Sequence, residues 1–390
     1  MTEVFLKKNK SRIMDVRHPW IFSGALQTSR EDIEAGELVR VSDSQGQFKA
    51  IGHWGSGSIA VRILSWEDRP IDRVFWEEKL HAAIELRLQL GLYKPGENDC
   101  FRLVHGEGDG LPGLIVDYYA GVVVLQCHSK GMLKESQSLS AAFLNNTLLD
   151  IHSVYLRAEG PAAAGGINRF LSGEHAELTV LENGLKYHVD VVEGQKTGFF
   201  LDQRDNRMLL RRLSKGKKVL NCFCYTGGFS ISALEGEATS VESVDVSKTA
   251  LQVLEKNLAL NHFTGDRHET LRGDALKYLN ELEASSYDVV ILDPPAFAKS
   301  RKKRHNAVQA YKRLNAAGMK VLRPGGLLMT YSCSQVVDEK LFTNTVVAAG
   351  LEAGGDYRIL KKLQQGMDHP VHLFHPEGRY LKGLLLRKGT

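Results

Sequence analysis

Apolar residues recur along this chain in three different rhythms. Up to about residue 70 they form short β-like runs, 37–41 and 59–64, parted by glycine-bearing stretches such as Gly52 to Gly57. Runs this short, with turn residues between them, predict a small β-barrel over 1–72. From Phe75 to Leu92 the period lengthens. Trp76, Leu80, Ala83, Ile84 and Leu88 fall on one face of a predicted helix. Residues 101–105, 113–117 and 122–126 then read as strands, the first two joined by the turn-rich Gly106 to Gly110, and a small α+β middle domain is predicted over 73–180. Pro161 to Gly166 reads as a loop.

The third rhythm begins near residue 217. Apolar runs at 217–221, 240–245, 287–293 and 326–331 alternate with helical periods, for example Thr249 to Leu260. Buried strands alternating with helices predict an α/β, Rossmann-like domain over 181–390 with a mostly parallel sheet. Such sheets bind ligands at the carboxyl ends of their strands.

Composition narrows the class. With 43% hydrophobic and 25% charged residues, the 390-residue chain is built to fold with a sizeable core. No run of about 18 apolar residues is present, and no apolar signal core follows the charged N-terminus, so a cytoplasmic protein with no membrane partner is expected. Five cysteines, odd in number and scattered, argue against a disulfide framework. Cys222 and Cys224 are too closely spaced for the usual zinc pair, so no metal is expected.

The net charge of +4 says little about nucleic acid, but its distribution says more. Lys7, Lys8 and Lys10 make the N-terminus locally basic. Lys299, Arg301, Lys302, Lys303 and Arg304 place five cations in six residues, starting two residues after Asp293-Pro-Pro-Ala-Phe297. This run is read as a loop that contacts phosphates.

Candidate chemistry gathers at the predicted strand ends. After the first strand comes Cys222-Phe-Cys-Tyr-Thr-Gly-Gly-Phe229, whose Gly227 and Gly228 let backbone approach a ligand. It lacks the Gly-x-Gly-x-x-Gly that a pyrophosphate wants. Asp245 is placed to accept from ribose hydroxyls and Asp274 to meet an adenine amino group. A single Asp after a strand is commonly a cap or turn residue. Two of them after a Gly-Gly turn fit S-adenosylmethionine, an adenosine without phosphates, better than a nicotinamide dinucleotide. Cys333, in Tyr331-Ser-Cys-Ser334, sits at the end of a further strand, where a thiol suggests covalent chemistry on a flat ring.

Gly194 to Arg204, Leu220 to Phe229, Asp293 to Phe297 and Tyr331 to Ser334, with His18 to Gly24 near the N-terminus, resemble the large-subunit ribosomal RNA methyltransferase I family. Those proteins are class I S-adenosylmethionine enzymes that make 5-methylcytosine in 23S ribosomal RNA and begin with a PUA domain. The resemblance spans essentially the whole chain. It implies that Cys333 is the nucleophile for carbon 6 of cytosine and that Asp293 bonds the ring nitrogen or amine. It further implies that Phe297, with Pro294 and Pro295 fixing the turn, holds the target base. Asn221, Phe223, Tyr225 and Thr226 would join Gly227, Gly228, Asp245 and Asp274 around the cofactor. Asp202, Gln203 and Arg204 would lie against its methionine end or the base, although Arg204 serves equally well in a surface ion pair. The implied partner is large-subunit ribosomal RNA, and a homodimer stays open.

One departure stands out. Related RNA cytosine-5 methyltransferases often carry a second cysteine after the motif proline, and here that position is Ala296. Because Asp-Pro-Pro-x-Phe also resembles nitrogen-methylating enzymes, a guanine or adenine N-methyltransferase is the first alternative. A non-catalytic RNA-binding assembly factor is the second.

Overall fold

The computed structural model describes residues 1–27, 33–158, 168–263, 265–298 and 300–390, and of residues 11–13 the backbone alone. The expected loop at 161–166 and Lys299 fall outside these. The chain divides into two compact units, 1–180 with 189–199 and 367–378, and 181–188 with 200–366 and 379–390.

The first unit opens with β1 (Thr2–Phe5), β2 (Trp20–Phe22), β3 (Leu38–Ser42), β4 (Phe48–Trp54) and β5 (Ile59–Ser65). They form one sheet in the order β1-β3-β4-β5-β2. Val39, Val41, Val61 and Ile63 alternate onto its buried face, the period-two pattern of a half-buried strand. One expected turn is corrected here, because Gly52 to Trp54 complete β4. A Cβ on Gly52 would stand 2.2 Å from the Arg62 carbonyl oxygen, so this glycine permits a close strand approach and does not end the strand.

The same unit continues with α1 (Arg73–Gln89), β6 (Cys100–His105), β7 (Leu114–Tyr119), β8 (Val122–Cys127), α2 (Lys130–Lys134), α3 (Ser136–Leu144), β9 (Ser153–Ala158) and β10 (Arg169–Ser172). The strands form a second sheet in the order β10-β9-β8-β7-β6. Asp72 caps α1 by accepting from the Phe75 N–H, and the helix buries Phe75, Trp76, Leu80, Ala83 and Ile84. The turn at Gly106 to Gly110 is a short 3-10 helix, Gly106–Asp109.

A two-stranded hairpin of β11 (Glu177–Glu182) and β12 (Leu185–Asp190) comes next in the chain. The second unit then alternates α4 (Arg204–Leu213), β13 (Lys218–Cys222), α5 (Gly228–Glu235), β14 (Ser240–Asp245), α6 (Lys248–Leu260), β15 (His268–Arg272), α7 (Ala275–Glu281), β16 (Tyr287–Leu292), α8 (Arg304–Val321), β17 (Leu322–Ser332), α9 (Glu339–Ala353), β18 (Tyr357–Gln364) and β19 (Lys382–Lys388). The seven strands run in the order β15-β14-β13-β16-β17-β19-β18. All neighbours are parallel except β19, which is antiparallel to β17 and to β18. Strand order reverses between β13 and β16, which opens a crevice at their carboxyl ends.

Candidate functional site

The turn after β13 is built from left-handed residues. Phe223, Tyr225 and Gly227 have φ of 59°, 49° and 83°. Two non-glycine residues in this region cost free energy, so the surroundings must hold them there. The Cys224 N–H donates to the Val244 carbonyl at 3.1 Å, and Asn257 Nδ2 donates to the Thr226 carbonyl at 2.8 Å. The Tyr225 N–H donates to Asp245 Oδ2 at 2.9 Å. Asp245 Oδ1 accepts from the Ser247 N–H, also at 2.9 Å. Each oxygen of this half-buried carboxylate keeps a further lone pair, which suits paired hydroxyls.

The glycines of this turn are also constrained by packing inside the protein. A Cβ on Gly227 would lie 2.0 Å from Leu254 Cδ1 of α6, and one on Gly228 would lie 3.1 Å from Arg207 Cδ. Packing together with its positive φ therefore demands a glycine at 227, whereas a side chain at 228 would crowd Arg207. Asn221 is 1% exposed and gives its Nδ2 to Ser230 Oγ, tying β13 to α5. Asp274 is exposed and caps α7 by accepting from the Lys277 N–H at 2.8 Å.

At the ends of β16 and β17 the two motif segments meet. Ser334 Oγ donates to the Ala298 carbonyl at 2.7 Å, fastening the Cys333 turn to the segment that begins at Asp293. Asp293 Oδ2 accepts from Gln203 Nε2 at 3.0 Å, and Asn206 Nδ2 holds Gln203 Oε1 at 2.6 Å. Tyr311 of α8 stands by both motifs. Burial pushes its phenol up to about 12, and the neighbouring Cys333 and Asp293 add to the shift. Of the five cysteines, none of them in a disulfide, Cys333 alone is not buried. Burial raises the thiols of Cys127, Cys222 and Cys224 above their ordinary value.

The profile of S-adenosylmethionine-dependent methyltransferases matches residues 101–350, and that of PUA-like domains matches residues 4–66. A ribosomal RNA large subunit methyltransferase I from Erwinia tasmaniensis is 37% identical, with 98% of both chains covered. One from Aeromonas hydrophila is 38% identical, again over 98% of both. The chain belongs to the ribosomal RNA large subunit methyltransferase I family. It is an S-adenosylmethionine-dependent methyltransferase. The fold is shared by a Streptococcus mutans chain assigned as a methyltransferase of this kind, with a TM-score of 0.84 at 20% identity over 99% of this chain and 100% of that one. A methyltransferase solved with SAH gives a TM-score of 0.85 at 21% identity and the same coverage.

Within this family member the remaining predicted residues part company. Asp202, 6% exposed, accepts from the Tyr380 hydroxyl at 2.6 Å, and its carbonyl takes the Gly366 N–H at 3.2 Å. It ties the 201–206 segment to the β18–β19 region, whereas the adjacent Gln203 turns to Asp293. Arg204 is not in a surface ion pair. It is 4% exposed, with Nε 3.7 Å from Glu182, which also takes Arg207 Nε and Nη2 at 2.6 Å each. Phe297 is half-buried, its ring centroid 4.7 Å from that of Tyr311, and it packs at the edge of the core. Pro294 is buried and Pro295 exposed.

The basic run is helical where a loop was expected. Arg301–Lys303 form a 3-10 turn that leads into α8 at Arg304, and all four side chains are exposed. Lys7, Lys8 and Lys10 are exposed as well, with Lys7 Nζ on the Gly24 carbonyl at 3.0 Å. Among the described residues one trio has metal-ligand spacing: His18, His375 and Glu377 in the first unit. Glu377 is exposed and lies 3.8 and 3.9 Å from the two rings, distances of ordinary His–carboxylate pairing.

Sequence reading missed Lys382. It is 6% exposed, and its Nζ donates to the Ser334 carbonyl at 2.7 Å. Its signal was a cation inside the apolar run Leu381 to Leu386, where a lysine is rarely buried without a function or a partner.

Proposed function

We propose that this chain methylates carbon 5 of a cytosine in large-subunit ribosomal RNA through a covalent bond from Cys333 to carbon 6. The observation that carries the reading is the Ser334 to Ala298 hydrogen bond, because it sets the half-buried thiol beside the segment of Asp293. The names of relatives at 37–38% identity supply the substrate class.

The residues present suit the cofactor. Asp245 has lone pairs for two ribose hydroxyls and Asp274 a carboxylate oxygen for the adenine amine, while Phe223, Tyr225 and Thr226 line the turn above β13. When bound, S-adenosylmethionine supplies an electrophilic sulfonium methyl. Carbon 5 of cytosine is a poor nucleophile, so the Cys333 thiolate adds to carbon 6, and the pair of electrons released makes carbon 5 an enamine carbon able to take that methyl. Asp293, steadied by Gln203, bonds the ring nitrogen or exocyclic amine as charge builds there. A base then takes the carbon 5 proton, and the electron pair of that C–H bond restores the ring double bond as the sulfur–carbon 6 bond breaks and the thiolate departs. The exposed cations at 301–304 and at Lys7, Lys8 and Lys10 serve RNA phosphates.

Replacing Cys333 by Ala should abolish methyl transfer while calorimetry shows S-adenosylmethionine binding unchanged, and RNA bearing 5-fluorocytosine should trap the wild-type protein covalently. Activity retained in the variant, with no adduct, would overturn the reading. A methylated ring nitrogen or amine in the product nucleosides would select the N-methyltransferase, and failure to bind S-adenosylmethionine would select an assembly factor.

A further inference from the structure

A lysine ammonium loses much hydration when buried, and one hydrogen bond to a neutral carbonyl does not restore it. Lys382 is in that position, at the start of β19 and 6% exposed. Its backbone pairs with Ser332 across the β17–β19 ladder and with Gln364 across β18–β19. Its Nζ reaches over to the Ser334 carbonyl at 2.7 Å. The two anchor points are the residues on either side of Cys333, so the ammonium spans the nucleophile's turn.

Among the described residues, the charged and titratable groups around this turn include Asp293 after β16, Tyr311 on α8, Asp338 at the start of α9, and Lys382 itself. Burial lowers the pKa of Lys382, and negative charge at Cys333 and at Asp338 raises it. Asp338 is exposed and spends Oδ1 on the Leu341 N–H, capping α9. The Tyr311 phenol stays neutral at physiological pH and brings no charge. Asp293 takes Gln203 Nε2 on its Oδ2, whereas Lys382 is anchored on Ser332 and Ser334, so the sulfur between them is the group this buried cation is placed to meet.

We propose that Lys382 is a positioning residue for Cys333, its buried ammonium standing beside the sulfur as the counter-charge of the thiolate. The proposal rests on the reading of Cys333 as nucleophile. A neighbouring cation favours the charged form of a thiol, so Cys333 is already ionised when the base arrives. By holding the Ser334 carbonyl, Lys382 also sets the direction in which the turn presents the sulfur.

The test follows the rate at which iodoacetamide alkylates Cys333, read by mass spectrometry of its peptide as a function of pH. The wild type should show a midpoint below the ordinary thiol value of about 8.5. In Lys382→Met the midpoint should rise by a unit or more, which slows alkylation about 10-fold at neutral pH, while Lys382→Arg should keep most of the shift. Coincident profiles for wild type and Lys382→Met would overturn the proposal. So would a wild-type midpoint at or above the ordinary value, a result that needs no variant to fold. Thermal melting and S-adenosylmethionine binding check that the variants are folded. Because the readout uses no RNA, an ordinary thiol in an enzyme whose methyl transfer still requires Cys333 sinks this inference alone. A depressed thiol in a protein that makes no 5-methylcytosine sinks the proposed function alone.

Discussion

Gln203 spends its whole amide on the site, with Nε2 on Asp293 and Oε1 on Asn206. A hydrogen bond to a charged group is worth about 1.5–3 kcal/mol, so Gln203→Leu should slow single-turnover methyl transfer about 10- to 100-fold with S-adenosylmethionine affinity little changed. A wild-type rate in that variant would remove Asp293 from the chemistry. At this scale the sequence was informative about chemical type and weak about partners. Cys333 and Asp293 stood out as candidates because a thiol and a carboxylate at strand ends limit the chemistry. The neighbouring Asp202, Gln203 and Arg204 looked alike in sequence but face Tyr380, Asp293 and Glu182, since successive residues entering a helix point in different directions.

Elements carry the site through their ends. The turn joining β13 to α5 allows no side chain at Gly227, where φ is 83° and Leu254 would be 2.0 Å away. Gly227→Ala should cost about 2–4 kcal/mol from backbone strain and overpacking together, seen as a lower midpoint in urea unfolding. The hairpin that carries Glu182 is joined to α4 by a buried, doubly bonded Arg207. Glu182→Ala leaves a guanidinium buried without its partner and should cost about 3–5 kcal/mol. At the start of α8, Arg301, Lys302, Lys303 and Arg304 oppose the helix dipole, which disfavours cations at an N-terminus. Replacing Arg301, Lys302 and Lys303 by Gln should therefore leave stability unchanged or higher. RNA binding should weaken, and the slope of log K against log salt should fall by about 2–3. An unchanged slope would exclude this turn from the RNA interface. The run was legible as basic, but its helical form was not, because charge alone does not distinguish a solvated loop from a first helical turn.

At the scale of the whole molecule, acid sensitivity of the first unit has an identifiable source. His53 of β4 is 2% exposed, and burial, with the charges of Arg62 and Lys134 adding, holds its pKa down to about 4 against an ordinary 6.5. The unfolded chain binds the extra proton between those values. The contribution is therefore complete above about pH 6.5 and is lost as pH falls toward 4, by about 3 kcal/mol. His53→Gln should flatten that part of the stability curve in chemical denaturation at stepped pH. An unchanged slope would place the sensitivity elsewhere.

The sequence by itself determined the classes of structure and chemistry. Its period-two, helical and alternating rhythms specified strands, helices and a mostly parallel sheet, because apolar spacing must match the face each element buries. Its motifs pointed to a methyltransferase, because they resemble a family of such enzymes and two acids after a Gly-Gly turn suit an adenosine without phosphates. Tertiary structure decided which groups act together. Ser334 meets Ala298, Gln203 meets Asp293 across 90 residues of chain, and Lys382 comes to the Ser334 carbonyl because the last strand runs antiparallel to β17. No local pattern encodes such pairings, since they follow from strand order, register and the packing of elements distant in sequence.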